Sequence, residues 1–139
     1  MFSGIVSGIG SVKSIKHKND IISIEVKAPK NFSKKLKKGA SVSVDGVCLT
    51  AINSDSDTIK FDVIEETLSR TTIGNFVKGQ KVNLERSMTA SSEIGGHLIS
   101  GHIHCVSEII SINEKKSSKD MKISIPKGMD KYILEKGYI

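Results

Sequence analysis

The stretch Ser41-Val-Ser-Val-Asp-Gly-Val-Cys-Leu-Thr50 predicts a β-hairpin. The Asp-Gly pair at its centre is typical of the two-residue turn that joins tightly paired antiparallel strands. Side chains alternate between the faces of a strand, so one face of this hairpin carries only Val and Leu and is predicted to face a core. The other face carries a row of small polar side chains, namely Ser41, Ser43, Cys48 and Thr50. That row fits either a solvent-exposed sheet face or a ligand wall, because small side chains leave room for a flat ring and hydroxyls can bond its edges.

The segments around the hairpin predict a small all-β domain. Alternating, β-branched stretches bounded by turn signals predict six strands, near residues 4–15, 20–27, 40–45, 47–53, 58–65 and 80–86. Six short strands favour a closed or nearly closed barrel, since closure removes the exposed edges of a small sheet. Gly8 and Gly10 in the first strand indicate a bend of the kind a barrel corner needs. The pattern leaves the strand order open.

A second copy of the first forty residues starts 97 positions further along the chain. Phe2-Ser3-Gly4-Ile5-Val6 aligns with Ile99-Ser100-Gly101-His102-Ile103, and Pro29-Lys30 aligns with Pro126-Lys127. After each Pro, apolar residues four apart predict a short helix-like segment that ends at Lys-Gly. We therefore expect one complete barrel over residues 1–96 and the opening part of a second over residues 97–139. The second copy is expected to lack its own counterpart of the Asp-Gly hairpin.

The charge and the cysteines favour a soluble protein that acts on a small molecule. The 139 residues carry a formal charge of +6, and almost all of the basic residues are Lys. A Lys cluster over residues 34–38 is typical of a solvated surface, and the chain lacks the Arg forks and aromatic platforms that nucleic-acid readers use. No apolar run approaches the roughly 20 residues that span a bilayer. Cys48 and Cys105 have no metal-type or redox-type spacing. We expect a cytoplasmic protein with free thiols, no nucleic-acid partner and no membrane contact.

Five blocks of the sequence, in order and with natural spacing, resemble the motifs of riboflavin synthase, alpha-chain type, a family of repeated lumazine-binding barrels. They are Met1-Phe-Ser-Gly-Ile-Val6, the segment from Gly39 through the hairpin to Thr50, Glu66-Thr-Leu-Ser-Arg-Thr-Thr-Ile-Gly74, Val82-Asn-Leu-Glu-Arg86, and Gly95-Gly-His-Leu-Ile-Ser-Gly-His102. The resemblance implies a duplicated six-stranded Greek-key barrel and a homotrimer, with lumazine synthase as a further partner. It implies a dismutation of two 6,7-dimethyl-8-ribityllumazine molecules to riboflavin and 5-amino-6-(ribitylamino)uracil, with no cofactor and no metal.

The resemblance also implies a set of site residues. His102 is the acid/base candidate, because imidazole changes charge near neutral pH, and Cys48 is a ring-contacting or proton-shuttling thiol. The substrate-binding set is Phe2, Gly4, Ile5, Val6, Ser41, Cys48, Leu49, Thr50, Asp62, Glu66, Thr67, Gly101, His102, Ile103 and Lys136.

Several of these residues have a structural alternative that the sequence leaves open. Phe2 and Cys48 can simply pack in the core, Asp62 and Lys136 can be solvated, and Glu66 can pair with a nearby basic group. His97 is interpreted as structural. His102 and His104 share a strand face, but no further ligand has the spacing of a metal site.

Two functions follow as expectations. The leading one is riboflavin synthase, with a 139-residue chain that binds lumazine or riboflavin through its first barrel but turns over poorly, because the second half-site is incomplete. The alternative is a non-catalytic lumazine- or flavin-binding protein of the same fold.

Overall fold

A computed structural model describes residues 1–93 and 95–139. The chain divides into two compact units, Met1–Ile103 and His104–Ile139. The first unit therefore includes residues 97–103, which the sequence repeat assigns to the start of the second copy. The repeat boundary between residues 96 and 97 stays a prediction.

The first unit is a closed six-stranded antiparallel barrel. Its strands are β1 (Gly8–Lys18), β2 (Ile21–Lys27), β3 (Ser41–Val44), β4 (Val47–Ser54), β5 (Thr58–Ile64) and β6 (Lys81–Arg86). They pair in the order β1-β2-β5-β4-β3-β6. Three consecutive strands with the next one returning beside the first, here β6 beside β3, form a Greek key. The prediction of an all-β, six-stranded Greek-key barrel is confirmed.

The hairpin forms in the predicted register. Ser41 pairs with Thr50, Val42 with Leu49, Ser43 with Cys48 and Val44 with Val47. The four apolar side chains of the hairpin are buried in the core, together with Ile24, Phe61 and Leu84. The Asp-Gly turn and the alternation of side chains are therefore sufficient to place this face of the barrel.

Two local predictions were wrong. The first strand begins at Gly8 rather than near residue 4, because Gly4 has a φ of +81°, which is outside the extended region. The segment after Pro29 forms turns instead of a helix, since Asn31 and Lys35 have positive φ angles of 68° and 58°. Its apolar residues, four apart, still reach the core: Phe32 and Leu36 are both buried.

Two short helices follow β5. Helix α1 spans Glu65–Arg70, and a 3₁₀ helix spans Ile73–Asn75. Ile73 is buried, so it anchors this connection to the barrel. The sequence pattern indicates a motif over this stretch and does not predict the helix.

The second unit contains a hairpin of strands β7 (Ile109–Glu114) and β8 (Lys119–Ile123), followed by a 3₁₀ helix over Asp130–Tyr132. The structure describes every residue from 104 to 139, and none of them is buried. In the described parts of the chain, no helix has the length and apolar character that crossing a membrane requires.

Candidate functional site

The pairing between β4 and β5 does not include the first half of β4. In β4, the residues paired with β5 extend from Ala51, which pairs with Phe61, to Ser54. Residues 48–50 of β4 therefore have no partner in β5. The backbone N–H of Cys48 instead donates a hydrogen bond to the carbonyl of Gly101 at 2.8 Å. Residues after position 97 therefore enter the barrel wall at the start of β4.

Gly101 lies close against β4, with little room for a side chain. Its φ is +74°, and a Cβ atom there would lie 3.0 Å from the Cβ of Cys48 and 3.1 Å from Cε2 of Phe2. Both the backbone angle and the lack of space favour glycine at this position. Ile103, two residues later, is half-buried and packs against the core. Phe2, Cys48, Gly101 and Ile103 are thus brought into one region.

The N-terminal residues pair with the start of the sequence repeat. Phe2 and Ile99 exchange two backbone hydrogen bonds, of 2.8 and 3.0 Å, and the N–H of His97 donates to the carbonyl of Ser3 at 2.9 Å. Phe2 is only 1% exposed. Phe2 and Ile99 occupy equivalent positions in the two copies, so the start of the first copy pairs with the start of the second.

The polar face of the hairpin is partly covered. Ser43 is buried and Cys48 and Ser41 are half-buried, while Thr50 is exposed. The side chain of Leu49 lies in the core, so only its backbone is available on the polar side. Solvent exposure along this face therefore increases from Ser43 to Thr50. Its role as a ligand wall stays a prediction.

The third predicted segment lies at the end of β5 and in α1. Asp62 is exposed, and one of its carboxylate oxygens accepts a hydrogen bond from the hydroxyl of Ser23. Glu66 is exposed and forms an ion pair with Arg70 one helical turn later. Thr67 is half-buried, and its carbonyl accepts a hydrogen bond from Oγ1 of Thr71 at 2.7 Å.

The remaining predicted residues lie outside this cluster or are open to solvent. Gly4, Ile5 and Val6 are exposed. His102 is exposed as well, and its N–H donates to Oγ of Ser100 at 3.1 Å. Lys136 is an exposed residue of the second unit.

Two residues that the sequence analysis did not assign to the site also bear on it. Glu85 of β6 is buried, and its Oε1 accepts hydrogen bonds from the backbone N and the Oγ of Ser3. The sequence signal that pointed to it was the block over residues 82–86, which we used only for the resemblance. Among residues 1–93 and 95–139, no group of three or more His, Cys, Asp or Glu side chains could hold a metal ion.

Comparison with known proteins agrees with this architecture. Residues 3–87 match the family described as Lumazine binding domain. The chain belongs to the lumazine-binding domain family.

Relatives of this member of the lumazine-binding domain family carry the name riboflavin synthase. The protein of that name from Chlamydia trachomatis is 42% identical over 139 residues, which is the whole of this chain and 67% of the relative. The riboflavin synthase of Escherichia coli K12 is 37% identical over 140 residues, again with the whole of this chain and 66% of the relative. The resemblance inferred from the motifs is confirmed, and the chain spans about two thirds of the length of these relatives.

Solved structures give the same fold. A crystal structure of LumP complexed with riboflavin has a TM-score of 0.85 and 31% identity, and the match covers 96% of this chain and 72% of LumP. LumP complexed with 6,7-dimethyl-8-(1'-D-ribityl) lumazine gives a TM-score of 0.81 at 31% identity, covering 92% of this chain and 71% of LumP. LumP, as solved, therefore binds both the substrate and the product that the resemblance predicts.

Proposed function

We propose that this chain binds 6,7-dimethyl-8-ribityllumazine, and riboflavin as its product, in a slot beside the first half of β4. The observation that carries the proposal is the hydrogen bond from Cys48 to Gly101 at the point where β4 leaves β5. It brings two separate predicted contact segments together at one opening of a lumazine-binding domain.

The slot suits a flat, polar ring. Thr50 stands exposed at its edge, while Gly101 and the small thiol of Cys48 keep its wall free of bulky groups. The Cys48 N–H and the Gly101 carbonyl already bond each other. Ring nitrogens and carbonyl oxygens can bond other backbone groups of residues 48–50 and 101–103, and such contacts fix orientation in ligand pockets. Asp62, Glu66 and Thr67 continue from β5 into α1, and we assign the ribityl hydroxyls to them.

We propose that in the complete enzyme this slot supports the riboflavin synthase reaction, a transferase dismutation. The substrate supplies its own electron sink, since an anion at the C7 methyl delocalises into the ring, so no separate cofactor is required for that role. Holding two rings in the reacting orientation can lower a barrier by roughly 7–11 kcal/mol. His102 and Cys48 are our candidates for moving the methyl proton, a contribution worth about 10²–10⁴-fold.

We expect the 139 residues alone to bind ligand with little turnover. The reaction needs two lumazines, and the described chain offers one barrel with such a slot and one hairpin of the second copy. Lys136 would contribute only through a completed second barrel. For a protein of the relatives' full length we propose a cytoplasmic homotrimer, with lumazine synthase as a partner.

A non-catalytic binding protein is the second candidate. It is favoured by the similarity to LumP, whose structures hold riboflavin, lumazine and flavin mononucleotide. The presence of both Cys48 and His102 supports the enzyme over this alternative.

A titration with 6,7-dimethyl-8-ribityllumazine tests the proposal. The purified chain is mixed with the lumazine, and fluorescence and absorbance are followed over time. Saturable binding without riboflavin formation is expected for the 139 residues. Riboflavin formation at a normal enzymatic rate would contradict the expected poor turnover, and absence of binding at high micromolar ligand would contradict the site.

The same mixture is then supplemented with a separately purified second barrel from a relative named riboflavin synthase. Riboflavin formation only in the supplemented mixture supports the enzyme. Binding without conversion in both mixtures supports the non-catalytic candidate.

A further inference from the structure

Glu85 is a buried carboxylate that the chemistry proposed above does not use. It lies on β6 opposite Ser43 of β3 and is 7% exposed. Its Oε1 accepts hydrogen bonds from the backbone N of Ser3 at 2.6 Å and from Oγ of Ser3 at 2.8 Å. Burial of a carboxylate is costly unless hydrogen bonds compensate it, and bonds to a charged acceptor are the stronger kind. Glu85 therefore fixes Ser3 firmly to the barrel.

Ser3 in turn organises the residues around it. Its carbonyl accepts the N–H of His97 at 2.9 Å, and its Oγ accepts the N–H of Ile5 at 3.2 Å. A Cβ atom on Gly96 would lie 2.4 Å from the Ser3 carbonyl oxygen, so the backbone at that position packs directly on Ser3. The backbone N–H and hydroxyl of Ser3 bond β6 and its carbonyl bonds the chain at residue 97, so Ser3 connects the two.

A continuous series of hydrogen bonds leads from there to the ligand slot. After Ser3 and His97 come the reciprocal bonds between Phe2 and Ile99, and then the bond from Cys48 to Gly101. We define residues 97–103 as the wall segment. Its hydrogen bonds run from the carbonyl of Ser3, the residue that Glu85 binds, at one end to the amide of Cys48 at the other.

We propose that Glu85 is a positioning residue that holds the wall segment against β4 through Ser3 and so maintains the shape of the slot. The consequence for ligand binding rests on the proposed function, whereas the consequence for the wall segment does not. Glu85 acts through Ser3, whose backbone N–H and hydroxyl both donate to its carboxylate.

The test compares Glu85→Ala and Glu85→Gln with a matched control, Glu25→Ala. Glu25 also accepts a hydrogen bond from a serine hydroxyl, that of Ser14 at 3.0 Å, but it does so between β1 and β2, away from the wall segment. The Gln variant keeps a carbonyl oxygen that can accept both bonds from Ser3 and loses the charge. The Ala variant removes the acceptor.

Amide hydrogen exchange of the unliganded protein is the primary measurement. In Glu85→Ala the N–H groups of Phe2 and Cys48 are expected to exchange at least about tenfold faster, while the amides of β2 and β5 keep their protection. Glu85→Gln should restore most of the protection, and Glu25→Ala should leave both amides unchanged. A uniform rise across the barrel, or no change at Cys48, would overturn the positioning role.

Affinity for 6,7-dimethyl-8-ribityllumazine is the second measurement. Glu85→Ala should weaken binding by about tenfold, equivalent to about 1.4 kcal/mol, with a smaller loss in Glu85→Gln and none in Glu25→Ala. If Glu85→Ala does not fold, Ser3→Ala, which removes the hydroxyl bond to Glu85 and keeps the backbone bond, is expected to give the same two effects at a smaller size, and their absence would overturn the proposal. If the wild-type chain binds no lumazine, the proposed function fails, and the exchange data still decide the role of Glu85.

Discussion

The hairpins β1–β2 and β7–β8 are built to the same plan and differ in what covers them. Each has a register shift at equivalent positions 97 residues apart, between Val12 and Ser14 in one and between Ile109 and Ser111 in the other. Ile24 of β2 is fully buried, whereas Met121, its equivalent in β8, is 52% exposed. The pairing of a hairpin is therefore specified locally, while its burial depends on distant strands.

The first unit supplies those distant strands. Val12, Ile24 and Val26 belong to one core cluster with side chains from β3, β4, β5 and β6. The described second unit has only its own hairpin and one 3₁₀ helix, so the same apolar stripe has no facing layer within that unit. The apolar residues of the two copies thus follow the same sequence pattern but contribute differently to the free energy of unfolding.

Replacement of Ile24 by Ala is expected to give the largest effect. Removal of a fully buried Ile side chain should lower the free energy of unfolding by about 2–5 kcal/mol. The equivalent change Met121→Ala should alter it by no more than about 0.5 kcal/mol, since surface substitutions usually lie in that range. Urea unfolding of both variants measures the difference. Equal destabilisation by the two substitutions would show that the second hairpin has a packed core of its own.

The hairpin comparison also explains which features the sequence could predict. The Asp-Gly turn and the side-chain alternation at Val42 and Leu49 act over a few residues, and they gave the correct register and the correct core face. The Greek-key barrel followed from the resemblance, because the strand order depends on contacts that no local pattern encodes. Helix predictions after Pro29 failed because apolar spacing of four suits a buried turn as well as a helix.

The site was predictable in part for the same reason. Cys48 and Gly101 were both named from motifs, yet nothing in the sequence indicated that the amide of one bonds the carbonyl of the other. Glu85 was missed because a charged residue in a strand looks solvated until the N-terminus is seen to cover it. Contacts between distant segments are the part of the site that needed the structure.

The second comparison is between Gly4 and Gly101, whose substitution by Ala is expected to have an effect of intermediate size on ligand affinity. Both have positive φ angles, +81° and +74°, and they are equivalent in the two copies. An added Cβ at Gly101 would lie 3.0 Å from the Cβ of Cys48 and 3.1 Å from Phe2, so these neighbours would have to shift, whereas at Gly4 its nearest neighbour is Ile99 Cδ1 at an ordinary 3.4 Å. Both substitutions carry the strain of a positive φ, about 1–2 kcal/mol, and only Gly101→Ala adds a close contact on Cys48. Gly101→Ala should therefore weaken lumazine binding by about tenfold or more, and Gly4→Ala by less.

Fluorescence titration of the two variants measures this difference. Thermal unfolding of each serves as the control for a general loss of stability. Equal affinities for Gly101→Ala and the wild type would mean that the wall segment does not form part of the slot.

The two cysteines give the finest comparison, since one lies in each unit. Cys48 and Cys105 are both free and both half-buried, and so they should react with a thiol reagent at rates of the same order. If the lumazine ring occupies the slot beside β4, saturating ligand should slow the labelling of Cys48 by several-fold, because a bound ring blocks access of the reagent. Cys105 then serves as the internal reference in the same sample, and mass spectrometry of the two peptides reads both rates. A ligand that slows both cysteines equally would indicate a general tightening of the chain, and one that slows neither would place the ring somewhere other than beside Cys48.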